Sequence, residues 1–209
     1  MIKLIQHPVL THKLTLLRRK ETPSKVFRAT VEELSELLTY EATRELALRE
    51  TEIETPITRC TAQVLAEEKF VIVPILRAGL AMVAGALKIL PDAAVGHIGL
   101  VRDETTHKPV EYYRKIPANL AEKTVLVVDP MLATGGSTSA ALKILKEHGA
   151  RKIIFVNIIA APEGIKKIAD EHSEIPIYTA AIDDHLNEKC YIVPGLGDAG
   201  DRIFGTGSD

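Results

Sequence analysis

The chain has 209 residues, is 46% hydrophobic and carries a formal net charge of −2, enough for one sizeable α/β core and too balanced for a global basic bias. Its 26 Lys and Arg are offset by 28 Asp and Glu, so nucleic acid is not favoured as a partner, and its longest apolar runs fall far short of a membrane span. Only Cys60 and Cys190 are present, without C-x-x-C spacing, and the seven histidines form no ligand set, so neither a disulfide framework nor a protein-held transition metal is indicated.

In chain order, residues 1–8 lack the apolar core of a secretion signal, and a cytoplasmic protein is expected. From Thr22-Pro23-Ser24 a long helical pattern begins, with Val26, Phe27, Val31, Leu34, Leu37, Leu38, Ala42 and Leu46 on one broad stripe. Such a stripe packs on a core or meets a second subunit. Phe70 to Leu76 reads as a buried strand that ends at Arg77-Ala78-Gly79, and residues 80–90 follow as a helix. Residues 94–101 are apolar and deliver Arg102 and Asp103. Arg77 and Arg102 therefore sit at the carboxyl ends of predicted strands, where open α/β sheets bind ligands. Either alone is a solvated surface residue; together they can clamp an anionic group, since Arg donates bidentately to phosphate oxygens. Residues 103–117 are polar with a turn near Thr106 to Pro109 and suit a mobile hairpin.

Next, Thr124-Val125-Leu126-Val127-Val128 has the β-branched, uninterrupted character of a strand buried on both faces. It should stop at Asp129 and open into Pro130-Met131-Leu132-Ala133-Thr134-Gly135-Gly136-Ser137-Thr138. Ser137 or Thr138 can cap a helix carrying Ala141, Leu142, Ile144 and Leu145, with Gly149 as its stop. Gly135 and Gly136 remove side chains that would obstruct an anion, while the hydroxyls of Thr134, Ser137 and Thr138 and the free amides of the first helical turn face it. No Lys follows Gly136, so this is not the loop of an NTPase. A formal G-x-G-x-x-G spans residues 195–200, but only nine residues follow it, too few for a dinucleotide-binding unit. An acid placed just before a phosphate loop suits a ribose 5-phosphate: the carboxylate accepts from the ribose hydroxyls while the loop holds the phosphate. Asp before a turn is also a common cap.

Further strands are expected at residues 152–160 and 177–182, with a helix from Pro162-Glu163-Gly164 toward Glu171 between them. The alternation predicts a mostly parallel twisted sheet flanked by helices on both faces, one domain over residues 1–209. The last distinctive segment, residues 191–202, is glycine-rich and comes after an apolar stub. Its exposed main-chain groups could match the carbonyl, N–H, carbonyl edge of uracil, although a flexible tail has the same composition.

Leu76-Arg77-Ala78-Gly79, Glu111-Tyr112-Tyr113, Asp129 through Gly135 and Tyr191 through Arg202, in this order, resemble the uracil phosphoribosyltransferases, and the likeness runs over essentially the whole chain. Phosphoribosyltransferase loops generally carry paired acids at the strand end; Pro130 in the second place is what the uracil-specific branch shows. The resemblance implies the type I phosphoribosyltransferase fold, with an N-terminal helical segment and a β-hairpin lid, and transfer of the 5-phosphoribosyl group of 5-phosphoribosyl 1-diphosphate (PRPP) to uracil N1. Asp129 would hold the ribose hydroxyls, with Pro130, Met131 and Leu132 leading into residues Ala133, Thr134, Gly135, Gly136 and Ser137 on the 5-phosphate. Arg77 and Arg102 would engage the diphosphate. Ile192, Gly197 and Ala199 would meet uracil through main-chain atoms, with Tyr191 nearby and Asp198 reaching toward the diphosphate and its Mg²⁺. The family further implies a homodimer or larger assembly and, in some members, a GTP effector. The competing function is a pyrimidine-sensing RNA-binding regulator on the same scaffold, which should show a basic face; no Lys/Arg run supports it. A purine-specific enzyme should carry the paired acids that this chain lacks.

Overall fold

The computed structural model describes residues 1–66, 69–102 and 109–207, with the side chain of Arg102 outside the description. In chain order the elements are β1 (Ile2–Leu4), α1 (Pro8–Arg18), α2 (Ser24–Ala42), β2 (Leu48–Glu54), β3 (Arg59–Leu65), β4 (Phe70–Leu76), a 3-10 turn (Ala78–Met82) and α3 (Val83–Ile89). There follow β5 (Ala94–Val95), β6 (His97–Arg102), β7 (Pro109–Lys115), β8 (Thr124–Val128), β9 (Met131–Leu132), α4 (Gly136–Glu147), β10 (Lys152–Ala160), α5 (Pro162–Glu171) and β11 (Ile177–Ile182). β12 (His185–Leu186), β13 (Ile192–Val193) and α6 (Ala199–Phe204) complete the chain.

The main sheet runs β1-β11-β10-β8-β4-β6-β7, with β5 beside β4 and β9 beside β10. Every pairing in it is parallel except that of β6 with β7. The predicted strands at 70–76, 152–160 and 177–182 and the helix at 162–171 form as expected. Strand alternation divides the core in two. Phe70, Ile72, Leu126, Val128, Val156 and Tyr178 face α1, α2 and α6 through Leu17, Phe27, Leu34, Leu38 and Ile203. Val71, Val73, Val125, Val127, Phe155 and Ile177 face α4 and α5 through Ala141, Leu142, Leu145 and Ile168. The α2 stripe is thus chiefly a core face.

Helix α4 begins differently from the expectation. Its cap is Gly135 in the left-handed region (φ 75°), with no side-chain cap bond, and Ser137 and Thr138 fall inside the first turn. Glycine enters the left-handed region without steric cost, so the chain can turn into the helix there with no side-chain cap. The other end does stop at Gly149 (φ 88°): its amide bonds Lys146 O at 2.9 Å and the Ala150 amide bonds Leu145 O at 3.0 Å, a Schellman closure.

A hairpin is present, but it pairs β6 with β7, from His97 with Lys115 to Arg102 with Pro109, so its first strand is the segment that precedes the expected span of 103–117. Residues 103–108, its tip, lie outside the described residues. The predicted helix at 80–90 is split into the 3-10 turn and α3. Among the described residues no helix is long and apolar enough to cross a membrane.

Candidate active site

Strands β4 and β8 lie side by side, so the turns that leave them meet at one edge of the sheet. Gly79 makes the approach close: a Cβ there would run into the Val128 carbonyl oxygen. The turn bearing Arg77 is thereby held against the start of the Asp129 segment. The Leu76–Arg77 peptide bond is cis.

Asp129 is followed by a kink rather than an open loop. The Asp129 amide bonds Val156 O at 3.2 Å, and Pro130 O then accepts from both Ile158 N (3.0 Å) and Ile159 N (3.1 Å). Pro130 O thus bridges two successive amides of β10 while the register stays unbroken from Val156 opposite Val128 to Ile159 opposite Met131, and buried Asn157 braces this stretch by donating to Ile159 O at 2.7 Å and Thr179 Oγ1 at 3.2 Å. Past the kink the chain rejoins the sheet as β9, so Leu132 is fully buried and Pro130 is buried too. β8 thus stops at Asp129 as expected, and the short strand β9 follows the kink. Pro130 has no N–H and its carbonyl already accepts two β10 amides, so it has no polar group left for a ligand, and buried Leu132 gives its carbonyl to the Ala161 amide at 2.8 Å.

The Asp129 carboxyl is only partly open to solvent and is packed among protein atoms. Desolvation pushes it up to about 7 from an ordinary 3.8, against the opposing pull of the Met131 backbone N–H. Hydroxyl donors brought by a ligand would favour the charged form.

The anion loop is residues 133–136. Gly135 packs on Gly164 of α5, and a side chain at Gly164 would strike the Ala133 carbonyl oxygen. Thr134 and Ser137 are exposed at the loop, whereas Thr138 is buried (2% exposed), contrary to expectation. Position 138 is on the core side of α4, beside the stripe of Ala141, Leu142 and Leu145. Farther along, the buried His172 ring sits between Ser139 Oγ (3.1 Å) and Lys146 Nζ (2.8 Å), tying α4 to the end of α5. Burial, then the Lys146 charge, hold that imidazole below its usual 6.5 despite the nearby Glu174 and Glu171.

Opposite Arg77 lies the glycine-rich segment. It is ordered rather than a tail: β12 and β13 pair antiparallel, and residues 199–204 form α6, a helix the glycine content concealed. Asp198 caps that helix through Oδ1, which accepts from the Asp201 amide at 2.9 Å. Arg77 reaches the helix, with Nη2 3.4 Å from Asp201 Oδ1 and its guanidinium over the Phe204 ring. Ile192 and Ala199 are buried; Tyr191, Gly197 and Asp198 are exposed. The fold therefore brings Arg77, Asp129, the 133–137 loop and the 191–202 segment to one end of the sheet. Arg102 ends β6, which runs parallel beside β4, but where its side chain reaches is outside the described residues.

Sequence reasoning gave no role to Asn157 or to the close approaches at Gly79 and Gly164. A glycine in the first turn of a helix, as at 164, is a legible signal of close backbone approach. The others depend on contacts remote in sequence.

A parallel sheet whose central strand ends in an acid and feeds a glycine-turned anion loop, with an arginine turn and a main-chain-rich loop beside it, defines the phosphoribosyltransferase class. A hypoxanthine-guanine phosphoribosyltransferase from Bacillus anthracis shares the fold at 17% identity and a TM-score of 0.52, covering 74% of this chain and 78% of that one. The family model for uracil phosphoribosyltransferase matches residues 4–206, and the chain belongs to that family. A uracil phosphoribosyltransferase of Lactiplantibacillus plantarum is 55% identical, covering 98% of each chain, and one from Caldanaerobacter subterraneus subsp. tengcongensis is 58% identical, covering 97% of this chain and 96% of the relative. The AQ2163 protein from Aquifex aeolicus superposes with a TM-score of 0.94 at 42% identity over the full length of both chains.

Proposed function

We propose that the protein is a uracil phosphoribosyltransferase, joining uracil N1 to C1 of PRPP with release of diphosphate and inversion at C1, giving UMP. The observation that carries this reading is the meeting of three differently built recognition elements at one sheet edge. Asp129 with the 133–137 loop suits a ribose 5-phosphate, Arg77 a second anionic group, and the 191–202 main chain a neutral base. Pro130, Met131 and Leu132 contribute by aiming the acid and the loop.

Diphosphate departure leads bond formation, so the sugar passes through an oxocarbenium-like state and no covalent nucleophile is needed. Catalysis is positioning plus neutralisation of the charge growing on the leaving group, tasks for Arg77 and Arg102. Asp129, once hydrogen-bonded to the ribose hydroxyls, is drawn back to its charged form and fixes the ring. Exclusion of water falls to the β6–β7 hairpin as a lid over the reacting centre.

Mg²⁺ would come with PRPP and help to neutralise diphosphate charge, with Asp198 as the side chain able to reach it through the oxygen not committed to the Asp201 amide. We further read the chain as one cytoplasmic domain that works as a homo-oligomer, with GTP as an effector by family likeness. Exposed Leu48, Ile53, Ile57 and Leu65 on the β2–β3 arm support a second copy as its partner.

Incubation with PRPP, uracil and Mg²⁺ tests the activity. UMP and diphosphate in equal amounts are expected; no UMP from folded protein would overturn it.

A further inference from the structure

A loop that recognises a base by main-chain groups has no rotamers with which to adjust, so its affinity depends on how firmly its backbone is held. In this fold the backbone of the 191–202 loop is held from outside the site.

Arg18, the last residue of α1, and Asp183, just past β11, form a two-pronged ion pair: Arg18 Nη2 to Asp183 Oδ1 at 2.6 Å and Nη1 to Oδ2 at 2.8 Å. The pair takes both polar groups of Gly195. The Gly195 amide donates to Asp183 Oδ2 at 2.9 Å, and Gly195 O accepts from Arg18 Nη1 at 2.8 Å. Gly195 has φ 63°, and a Cβ there would collide with the Ile192 carbonyl oxygen, so this turn admits no other residue without distortion. One residue on, Leu196 O accepts from Arg202 Nη1 at 2.7 Å, while Arg202 Nη2 donates to Arg19 O at 2.5 Å and its guanidinium lies 4.3 Å from the centre of the Phe27 ring. Both polar groups of Gly195 are thus taken by Arg18 and Asp183 and the Leu196 carbonyl by Arg202, and exposed Gly197 is the next residue.

Building on the uracil-transferring function, we propose that Arg18 and Asp183 are positioning residues for base recognition: by engaging both polar groups of Gly195 they fix the register in which residues 197–199 present their main chain to uracil. Neither needs to touch a substrate. The Asp183 carboxylate is buried and the Arg18 guanidinium largely so, and the fork geometry that spans two carboxylate oxygens and a carbonyl is one that Lys cannot reproduce.

Steady-state kinetics of Arg18→Lys and Asp183→Asn tests this. Arg18→Lys keeps a positive charge against Asp183 and serves where Asp183→Asn folds poorly. KM for uracil should rise about tenfold or more, as expected for loss of charge-assisted bonds, while KM for PRPP stays within about twofold. In Arg18→Ala, added methylguanidinium should lower KM for uracil back toward that of the wild type. A folded Arg18→Lys variant with an unchanged KM for uracil, or KM values rising equally for both substrates, would overturn the proposal while leaving the activity intact. Wild-type protein inert toward uracil would overturn both.

Discussion

Asp129 joins two properties that pull against each other: it is the acid expected to hold the ribose, yet its surroundings favour the neutral form. With its carboxyl pushed up to about 7, the ligand-free protein carries a stabilising contribution that is fully present below the unfolded value of 3.8 and is lost as pH rises to about 7. Binding of PRPP runs the other way, since hydroxyl donors favour the carboxylate. Affinity for PRPP should therefore weaken as pH falls below about 7, by up to about tenfold per unit beyond the donor's own titration. Titration calorimetry at several pH values, on wild type and Asp129→Asn, separates the two; a wild-type profile identical to that of the Asn variant would contradict the assignment. In turnover, Asp129→Asn should lose roughly 10²-fold in kcat/KM, about 2.7 kcal/mol, and near-normal kinetics would remove Asp129 from the site. The acid and its loop were legible in sequence because strand, acid and glycines are contiguous. The kink after the acid was not, because Asn157 and the Pro130 carbonyl find their partners only when β10 lies beside β9.

At the scale of elements, the loop is shaped by what packs behind it. Gly164 lets α5 touch the Ala133 carbonyl, and Gly164→Ala must push the helix or the loop aside. The expected result is about 1–3 kcal/mol of lost stability together with a raised KM for PRPP, with KM for uracil little changed. Thermal unfolding and steady-state kinetics on the same variant check this; unaltered PRPP kinetics would show that the contact does not set the loop. Strands β4, β8 and β10 were readable because they are buried over most of their length and so are largely apolar, and β11 because its first half is buried. The segments that escaped have weaker patterns. β2 and β3 are exposed along most of their length and mix Glu, Thr and Arg with isolated apolar residues, and α6 is a short helix hidden in a run of glycines. The cap of α4 was misplaced because hydroxyl residues signal caps in sequence, whereas here a left-handed glycine makes the turn.

For the molecule as a whole, the sheet gathers residues from positions 77, 129–137 and 191–202 at one end, while Arg18 at the end of α1 braces the last of these from behind. The β2–β3 arm forms a separate two-stranded sheet with Ile53 and Ile57 exposed. Substituting both with Asp should shift the protein toward a smaller species in light scattering, and an unchanged mass would exclude the arm from the interface. The central claim is the pairing of a ribose 5-phosphate site with a uracil-reading loop, and it is tested most directly by diphosphate release from PRPP with uracil, cytosine, hypoxanthine and orotate assayed in parallel. Release with uracil alone is the expected result; turnover of hypoxanthine or orotate in its place would contradict it.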